Sequence, residues 1–326
     1  MYRRSFFLTG IGGLASLSSF SSGAQEQLPS GTLNIYVGFP AGTVTDGLSR
    51  GIAERVRNEL GRPVVVLNQP GATGMISLER LKRAPADGSV IGVVPLTSGL
   101  IAPMFKTRPG FDLTTDFDSV IMLGHYALAF SVSPALGVDD WAGFLRWARA
   151  NPNDLFYGHG GTGGLAHLMG GLLSGATGLG MKDVPFKGDV EAMGVVFGGQ
   201  VQSALVSTVS ARPLYQGKKL KVLAVTSRTR DPGMGDVPTF VELGYPNAVS
   251  ENWVAAFAPK GTPARALALW NKAINNALSE PGFRQTLSNQ GYIVDGGSAE
   301  SLADTVVGDA RKWRRVMEAA GFKATD

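Results

Sequence analysis

The feature that most constrains this fold is an alternation of short β-type runs and amphipathic helical segments, which occurs twice along the chain. The first series predicts strands at residues 33–37, 63–67 and 89–94, with helices at 45–60 and 73–83. Strands that alternate with helices in this way favour a parallel sheet covered by helices on both faces. The first series therefore predicts an α/β lobe with a doubly wound sheet.

A second series follows residue 117 and predicts a second lobe of the same class. Its strands or extended segments are expected at 120–123, 127–132, 155–157, 184–186, 201–206 and 220–226, and its helices at 139–150, 164–176 and 189–197. A strand at 253–258 is expected to return to the first lobe, and helices at 263–279 and 298–320 to end the chain. We expect lobe I at 31–124, lobe II at 125–250, and a return to lobe I at 251–326.

Each series contains a strand, a glycine-rich loop and the start of a helix. The loops lie within FYGHGGTGG at 156–164 and YVGFPAGTVTD at 36–46. Unpaired amides at a helix N-terminus bind anions, and ligands of α/β sheets lie beyond the carboxyl ends of strands. Neither loop contains Arg or Lys, which favours a small carboxylate over a polyphosphate. Each loop alone is equally well explained as a tight turn, but their matched positions favour a ligand site.

Other chemistry has weak support. The chain has no cysteine and three histidines, His125, His159 and His167, and no acidic residue stands at metal-ligand spacing from the last two. Residues 158–163 fit G-x-G-x-x-G, with Asp183 about 20 residues further on, but Asp183 precedes a predicted strand instead of ending one. The 44 glycines also produce such spacings by chance. We therefore expect no catalytic residue, metal or cofactor.

The N-terminus has the pattern of an export signal. Arg3 and Arg4 precede an apolar stretch, and small residues up to Ala24 form a cleavage site. Residues 1–24 are thus expected to be a signal peptide, of either the twin-arginine or the ordinary type. These two arginines supply two of the +4 formal charges, and residues 1–24 contain no acid, which leaves +2. This small charge argues against binding to nucleic acid or to a membrane surface.

At these loops the chain resembles the Bug-type solute receptors of tripartite tricarboxylate transporters. The resemblance covers nearly all of the chain beyond the signal peptide and rests on short motifs in a specific order. They are FPAG followed by Asp46, NQPGA at 68–72, ADG at 86–88, YG at 157–158, HL at 167–168, VPFKG at 184–188, GGQV at 198–201, LAVTS at 223–227 and DVPT at 236–239.

The resemblance implies a periplasmic receptor with two lobes that close like a Venus flytrap on a small carboxylate. It also implies hand-over to membrane subunits of the transporter or, alternatively, signalling through a membrane partner. The expected ligand-binding residues are Gly42, Thr43, Val44, Thr45, Asp46, Thr97, Ser98, His159, Gly160, Gly161, Thr162, Gly163, Gly164, His167, Lys187 and Ser207. Asp46 is expected to shape its loop, since a carboxylate repels an anion. We expect a monomer.

Four positions depart from the family pattern. Thr43 stands where a second glycine is usual, His159 where serine is usual, and Ser207 where asparagine is usual. Val206 replaces a common aspartate, which removes a partner for a ligand ammonium and makes an amino-acid ligand less favoured. The alternative function is an exported nicotinamide-dependent oxidoreductase that uses the 158–163 loop.

Overall fold

The computed structural model describes residues 28–319, 321, 322 and 324. The expected signal peptide at 1–24 lies outside these residues. The strands are β1 Leu33–Val37, β2 Val64–Asn68, β3 Val90–Pro95, β4 Phe117–Val132, β5 Phe156–His159, β6 Lys182–Pro185, β7 Ser203–Ser207, β8 Lys221–Val225, β9 Glu251–Pro259 and β10 Ile293–Val294.

The helices are α1 Val44–Leu60, α2 Met75–Lys82, α3 Ala102–Met104, α4 Trp141–Ala150, α5 Leu165–Thr177, α6 Asp189–Phe197, α7 Thr208–Gln216, α8 Ala264–Ser279, α9 Pro281–Gln290 and α10 Ala299–Ala319. A π-helical turn, Thr97–Ile101, precedes α3, and 3₁₀ turns lie at Ala72–Gly74 and Pro134–Leu136. Among the described residues, no helix combines the length and the apolar character that crossing a bilayer requires.

The two lobes are built on the same strand order. In lobe I the order is β2-β1-β3-β9-β4, with β1 parallel to both β2 and β3. In lobe II the order is β6-β5-β7-β4-β8, with β5 parallel to both β6 and β7. Each lobe therefore directs the carboxyl ends of three parallel strands toward one edge, where the glycine loops lie. The two-lobed α/β fold expected from the sequence is confirmed.

The sheets are mixed, however, because β4 runs through both lobes and β9 returns antiparallel beside its first part. β9 runs antiparallel to β3 and β4, and β4 runs antiparallel to β7 and β8. The expected segments 120–123 and 127–132 are parts of the single strand β4. Within it, Phe117 to Ala127 pair with β9, whereas Leu128 to Val132 pair with β7. This change of partner lies close to residue 124, the end of lobe I expected from the sequence. The exact boundary between the lobes stays a prediction.

Helices cover both faces of each sheet, and one apolar cluster runs through both lobes. Phe130 on β4 lies 5.1 Å from Trp141 and 5.0 Å from Phe144, measured between ring centroids. The same cluster includes Trp253 of β9 and Trp313 of α10. Separate clusters fill the opposite face of each lobe. The core therefore joins the lobes along β4 and β9.

Three helices were absent from the sequence-based expectation: the single turn α3 and the longer α7 and α9. α7 starts at Ser207, whose hydroxyl accepts a hydrogen bond from Ser210 N–H at 3.1 Å, and it contains Pro213. α9 has Pro281 in its first turn and ends at Gly291, which has a left-handed φ of 107°. These start and stop signals are present in the sequence, but both helices are too short for a clear apolar period.

A buried arginine connects α7 to α9. Arg212 contacts the Asp231 carboxylate and donates to the carbonyls of Ser288 at 2.7 Å and Asn289 at 3.0 Å. Both charged side chains are buried, with 6% and 8% of their surfaces exposed. Arg212 thereby satisfies carbonyl groups at the C-terminal end of α9, where a cation is favoured. It fastens a lobe II helix to the C-terminal part of the chain.

We expect Arg212→Met to lower the free energy of unfolding by about 3–5 kcal/mol, because it leaves the Asp231 carboxylate buried without a cation. Urea unfolding at pH 7 measures this change. Arg230→Met is the control, since Arg230 pairs with Glu242 at an exposed site and should cost less than about 1 kcal/mol. Equal effects of the two substitutions would contradict the structural role of Arg212.

Candidate ligand-binding cleft

A cleft of about 580 Å³ opens where the glycine loops of the two lobes face each other. Of the expected site residues, it is lined by Gly42, Thr43, Val44, Thr45, Thr97, Gly160, Gly161, Gly164, Lys187 and Ser207. Asp46, Ser98, His159, Thr162, Gly163 and His167 are not among its lining residues. These six lie behind or beside the loops, and most of them hold the loops in shape.

The first loop is organised by Asp46 behind it. One Asp46 oxygen accepts from Gly42 N–H at 2.9 Å and from Arg50 Nε at 3.0 Å, and the other accepts from Asn68 Nδ2 at 2.8 Å. Burial alone would raise the pKa of Asp46, but the bonds from Arg50, Gly42 and Asn68 hold it below its usual value. The Gly42 amide is therefore occupied by the protein itself.

The free donors of this loop are amides at the start of α1. Thr43 precedes the helix in an extended conformation, and its hydroxyl donates to the Pro40 carbonyl at 2.8 Å. The Thr43 hydroxyl proton is therefore not available to a ligand, contrary to expectation. The amides of Val44 and Thr45 have no partner among the described residues. They belong to the first helical turn, where no intrahelical acceptor exists.

In the second loop several backbone amides donate hydrogen bonds within the loop or to the start of α5. Gly163 N–H donates to Nδ1 of His167 at 3.2 Å, and Gly164 N–H donates to the Gly161 carbonyl at 3.2 Å. Gly161 and Gly163 have φ values of 138° and 76°, which favour glycine. Along the part of the chain that the structure describes, the amides of Gly160 and Ala166 have no partner. Both residues line the cleft.

Two hydrogen bonds between described residues join the lobes at the cleft, and one of them, from Leu165 N–H to the Thr97 hydroxyl, is long at 3.4 Å. The Thr73 hydroxyl of lobe I donates to the Thr162 carbonyl of lobe II at 3.1 Å. Thr73 has a left-handed φ of 54°, as does its neighbour Ala72 with 47°. This backbone conformation is uncommon for residues with a side chain. Thr73 was not expected in the site, because a helix was predicted from residue 73.

His159 and His167 form a cluster with Asp183 behind the second loop. The Asp183 carboxylate lies 3.3 Å from Nε2 of His159 and 3.7 Å from Nε2 of His167. The expectation that no acidic residue accompanies these histidines is wrong, because β6 places Asp183 next to β5 across the parallel ladder. His159 is fully buried and therefore cannot be the cleft donor that its place in the loop suggested.

Among the described residues, these three side chains have the geometry to hold a divalent cation, since their possible ligand atoms lie within 4.8 Å of one another. Burial lowers the pKa of His159 and of His167, which favours neutral rings. Because His167 Nδ1 accepts from Gly163, the proton of the neutral His167 ring lies on Nε2, facing Asp183. A cation at Nε2 would have to displace that proton and disturb the Gly163 bond. The described geometry is thus a hydrogen-bonded support for the loop.

The floor of the cleft comes from β4 and β9. Asn252 on β9 donates from Nδ2 to the Tyr126 hydroxyl on β4 at 2.7 Å, and its Oδ1 accepts from Thr97 N–H at 3.2 Å. Burial and the nearby Asp189 carboxylate raise the pKa of Tyr126, so its hydroxyl keeps a proton. The sequence carries no local signal for this pair, because 126 residues separate its members.

The polar wall of lobe II comes from α6 and the end of β7. Asp189 accepts from Ser207 N–H at 2.9 Å and from the Ser207 hydroxyl at 2.6 Å. Glu191 also lines the cleft and accepts from Lys187 N–H at 2.9 Å. The Lys187 side chain is exposed and makes no ion pair with any described residue. Asp189 and Glu191 were not among the expected site residues.

We expect the stability that Asp46 provides to be lost in acid. Because its folded pKa lies below the ordinary value of 3.8, the carboxylate stabilises the fold above that pH, and this contribution disappears as pH falls through the folded pKa. Asp46→Asn should cost about 1–3 kcal/mol at pH 7, since Arg50 then faces a neutral amide. Urea unfolding from pH 7 to pH 3 should show this difference shrinking below about pH 4.

The exposed Asp154→Asn serves as the control and should follow the parent protein at every pH. A cost for Asp46→Asn that stays constant from pH 7 to pH 3 would show that its charge does not hold the loop.

Comparison with known proteins shows to which family the chain belongs. Residues 48–322 match the family described as "Tripartite tricarboxylate transporter family receptor". The structure of the periplasmic binding protein BugD is 28% identical with a TM-score of 0.85, and the match covers 91% of this chain and 100% of BugD.

Two further structures of this kind contain a bound ligand. A protein of R. palustris with adipate is 28% identical, with a TM-score of 0.86 and coverage of 91% of this chain and 99% of that chain. MatC of Rhodopseudomonas palustris with bound malate is 27% identical, with a TM-score of 0.82 and coverage of 88% and 99%. The chain therefore belongs to the tripartite tricarboxylate transporter receptor family, as a Bug-type periplasmic solute-binding protein and not an enzyme.

Proposed function

We propose that this protein captures a small carboxylate or dicarboxylate in the cleft and delivers it to the membrane subunits of a tripartite tricarboxylate transporter. Receptors of this family bind small carboxylates and work with such subunits. The observation that carries the proposal is the pair of helix N-termini, α1 and α5, whose unpartnered amides face one cleft from opposite lobes.

The chemistry of these donors supports a carboxylate. Val44 and Thr45 offer amide protons at the positive end of the α1 dipole, and Ala166 offers one at that of α5. Gly160 adds a further free amide from the residue that follows β5. The protonated Tyr126 hydroxyl and the Lys187 ammonium add donors to the same space. A volume of about 580 Å³ lies within the range of clefts that enclose small molecules.

A nicotinamide enzyme is disfavoured by the residues of the G-x-G-x-x-G loop. Gly158 packs against the Phe186 ring, since a Cβ on Gly158 would lie 3.0 Å from it. Asp183, the candidate ribose ligand, instead lies 3.3 Å from the buried His159 ring and 3.7 Å from the His167 ring. The loop therefore lacks the free acid that a dinucleotide requires.

Two parts of the proposal concern the setting of the protein. We expect export by the signal at 1–24, of twin-arginine or ordinary type, and a monomer in the periplasm. A receptor that only signals is the alternative, and it would bind the same ligand. Deletion of the membrane subunits of the transporter distinguishes the two functions, because uptake of the ligand stops only in the transport case.

We expect small carboxylates to raise the melting temperature of the purified protein, while NAD, NADP and nucleotides do not. A ligand at 100 times its dissociation constant adds about 2.7 kcal/mol to the free energy of unfolding. A thermal-shift screen against a carboxylate library measures this. Stabilisation by a dinucleotide alone would reject the proposal.

We expect Val44→Pro to weaken binding of the carboxylate found in that screen by about 10- to 100-fold, because it removes one charged hydrogen bond of about 1.5–3 kcal/mol. Proline is tolerated at the first position of a helix, so α1 should still form. Val44→Ala keeps the amide and is the control in the same calorimetric titration. If both variants bind as the parent does, the α1 amides do not hold the ligand.

A further inference from the structure

The cleft contains a carboxylate without a cation. Asp189 is the first residue of α6 and lines the cleft, half-buried. Its Oδ2 is held by the amide and the hydroxyl of Ser207. Its other oxygen lies beside Gly160 of the second loop, because a Cβ on Gly160 would come within 3.0 Å of Oδ1. No Lys, Arg or His among the described residues pairs with Asp189 within 4 Å.

The charges around the cleft do not cancel this carboxylate. The charged lining residues are Asp189, Glu191 and Lys187, which give a formal charge of −2 + 1 = −1. Glu191 and Lys187 are exposed, whereas Asp189 is half-buried, so its charge is the least screened of the three. A ligand that is only anionic therefore meets a repulsive group on the lobe II wall.

The position of Asp189 also changes the inference drawn from Val206. The absence of an aspartate at 206 argued against a ligand ammonium, but Asp189 binds Ser207 N–H, the amide that directly follows Val206. An acid from α6 thus occupies the wall next to the end of β7. The carboxylate that β7 itself lacks is present from a neighbouring element.

We propose that Asp189 forms an ammonium subsite, so that the ligand is an amino acid whose carboxylate lies on the helix amides and whose ammonium lies against Asp189. This inference rests on the proposed function and specifies its substrate class. An ammonium compensates the unpaired charge and donates charge-assisted hydrogen bonds. The carboxylate finds its donors at the amides of Val44 and Thr45, which start α1 in lobe I, whereas Asp189 starts α6 in lobe II.

The test uses pairs of acids that differ in one ammonium group. Succinate is compared with aspartate, glutarate with glutamate, and 4-methylpentanoate with leucine, by isothermal calorimetry on the full mature protein. We expect the best amino acid to bind at least 10-fold more tightly than its unsubstituted partner. Asp189→Asn keeps the shape and the Ser207 contact, and it should reverse this preference by weakening the amino acid and strengthening the unsubstituted acid.

Asp140→Asn is the matched control, because Asp140 caps α4 outside the cleft and asparagine is an equally good cap. The preference of this variant should equal that of the parent protein. Tighter binding of an unsubstituted acid by the parent protein, with no change in Asp189→Asn, overturns the ammonium subsite and leaves the proposed carboxylate function in place. Failure of every acid in the panel and in the carboxylate library overturns both. If Asp189→Asn does not fold, the preference of the parent protein decides.

Discussion

The antiparallel pairing of β4 with β9 is the constraint on which the rest of the structure depends. β4 is one continuous strand that belongs to both sheets, and β9 pairs with its first part, so the lobes share a strand instead of a flexible linker. This pairing fixes which edges of the parallel strands face each other. It also supplies Tyr126 and Asn252, the floor of the cleft, from two rigid strands. The glycine loops can then be arranged around a floor that does not depend on them.

Backbone amides and carboxylates have different roles in this cleft. Asp46 and the His159–His167–Asp183 cluster lie behind the loops, where they occupy selected amides and hold the glycines in left-handed conformations. The amides left over are those of the first turns of α1 and α5, together with that of Gly160. A loop with few free donors, each in a fixed position, recognises an anion by geometry rather than by net charge. Asp189 then limits which anions can be accommodated.

The sequence was informative where patterns are local. The alternation of strands and helices predicted both lobes, and the glycine loops were located because each follows a strand and opens a helix. The sequence was not informative where two contacting residues are far apart along the chain, or where the side chain of a residue near a loop is buried. His159 belongs to the glycine-rich stretch but is the last residue of β5 and is fully buried, and Asp183 reaches it across the β5–β6 ladder. Tyr126 and Asn252 lie in apolar strands, and such a sequence pattern predicts core residues instead of ligand-binding residues. Asp189 stands at a helix start, where an acid is ordinary.

The bond between Thr73 and the Thr162 carbonyl has a kinetic consequence. It joins the two rims of the cleft through protein groups alone, a side-chain hydroxyl and a backbone carbonyl, so it favours a narrowed mouth. Widening the mouth at this point breaks the bond, so the bond slows any passage of a ligand between these rims. A neutral hydrogen bond contributes about 0.5–1.5 kcal/mol, which corresponds to roughly 2- to 13-fold in a rate if it is fully broken at the barrier. Thr73 therefore affects residence time more than equilibrium affinity.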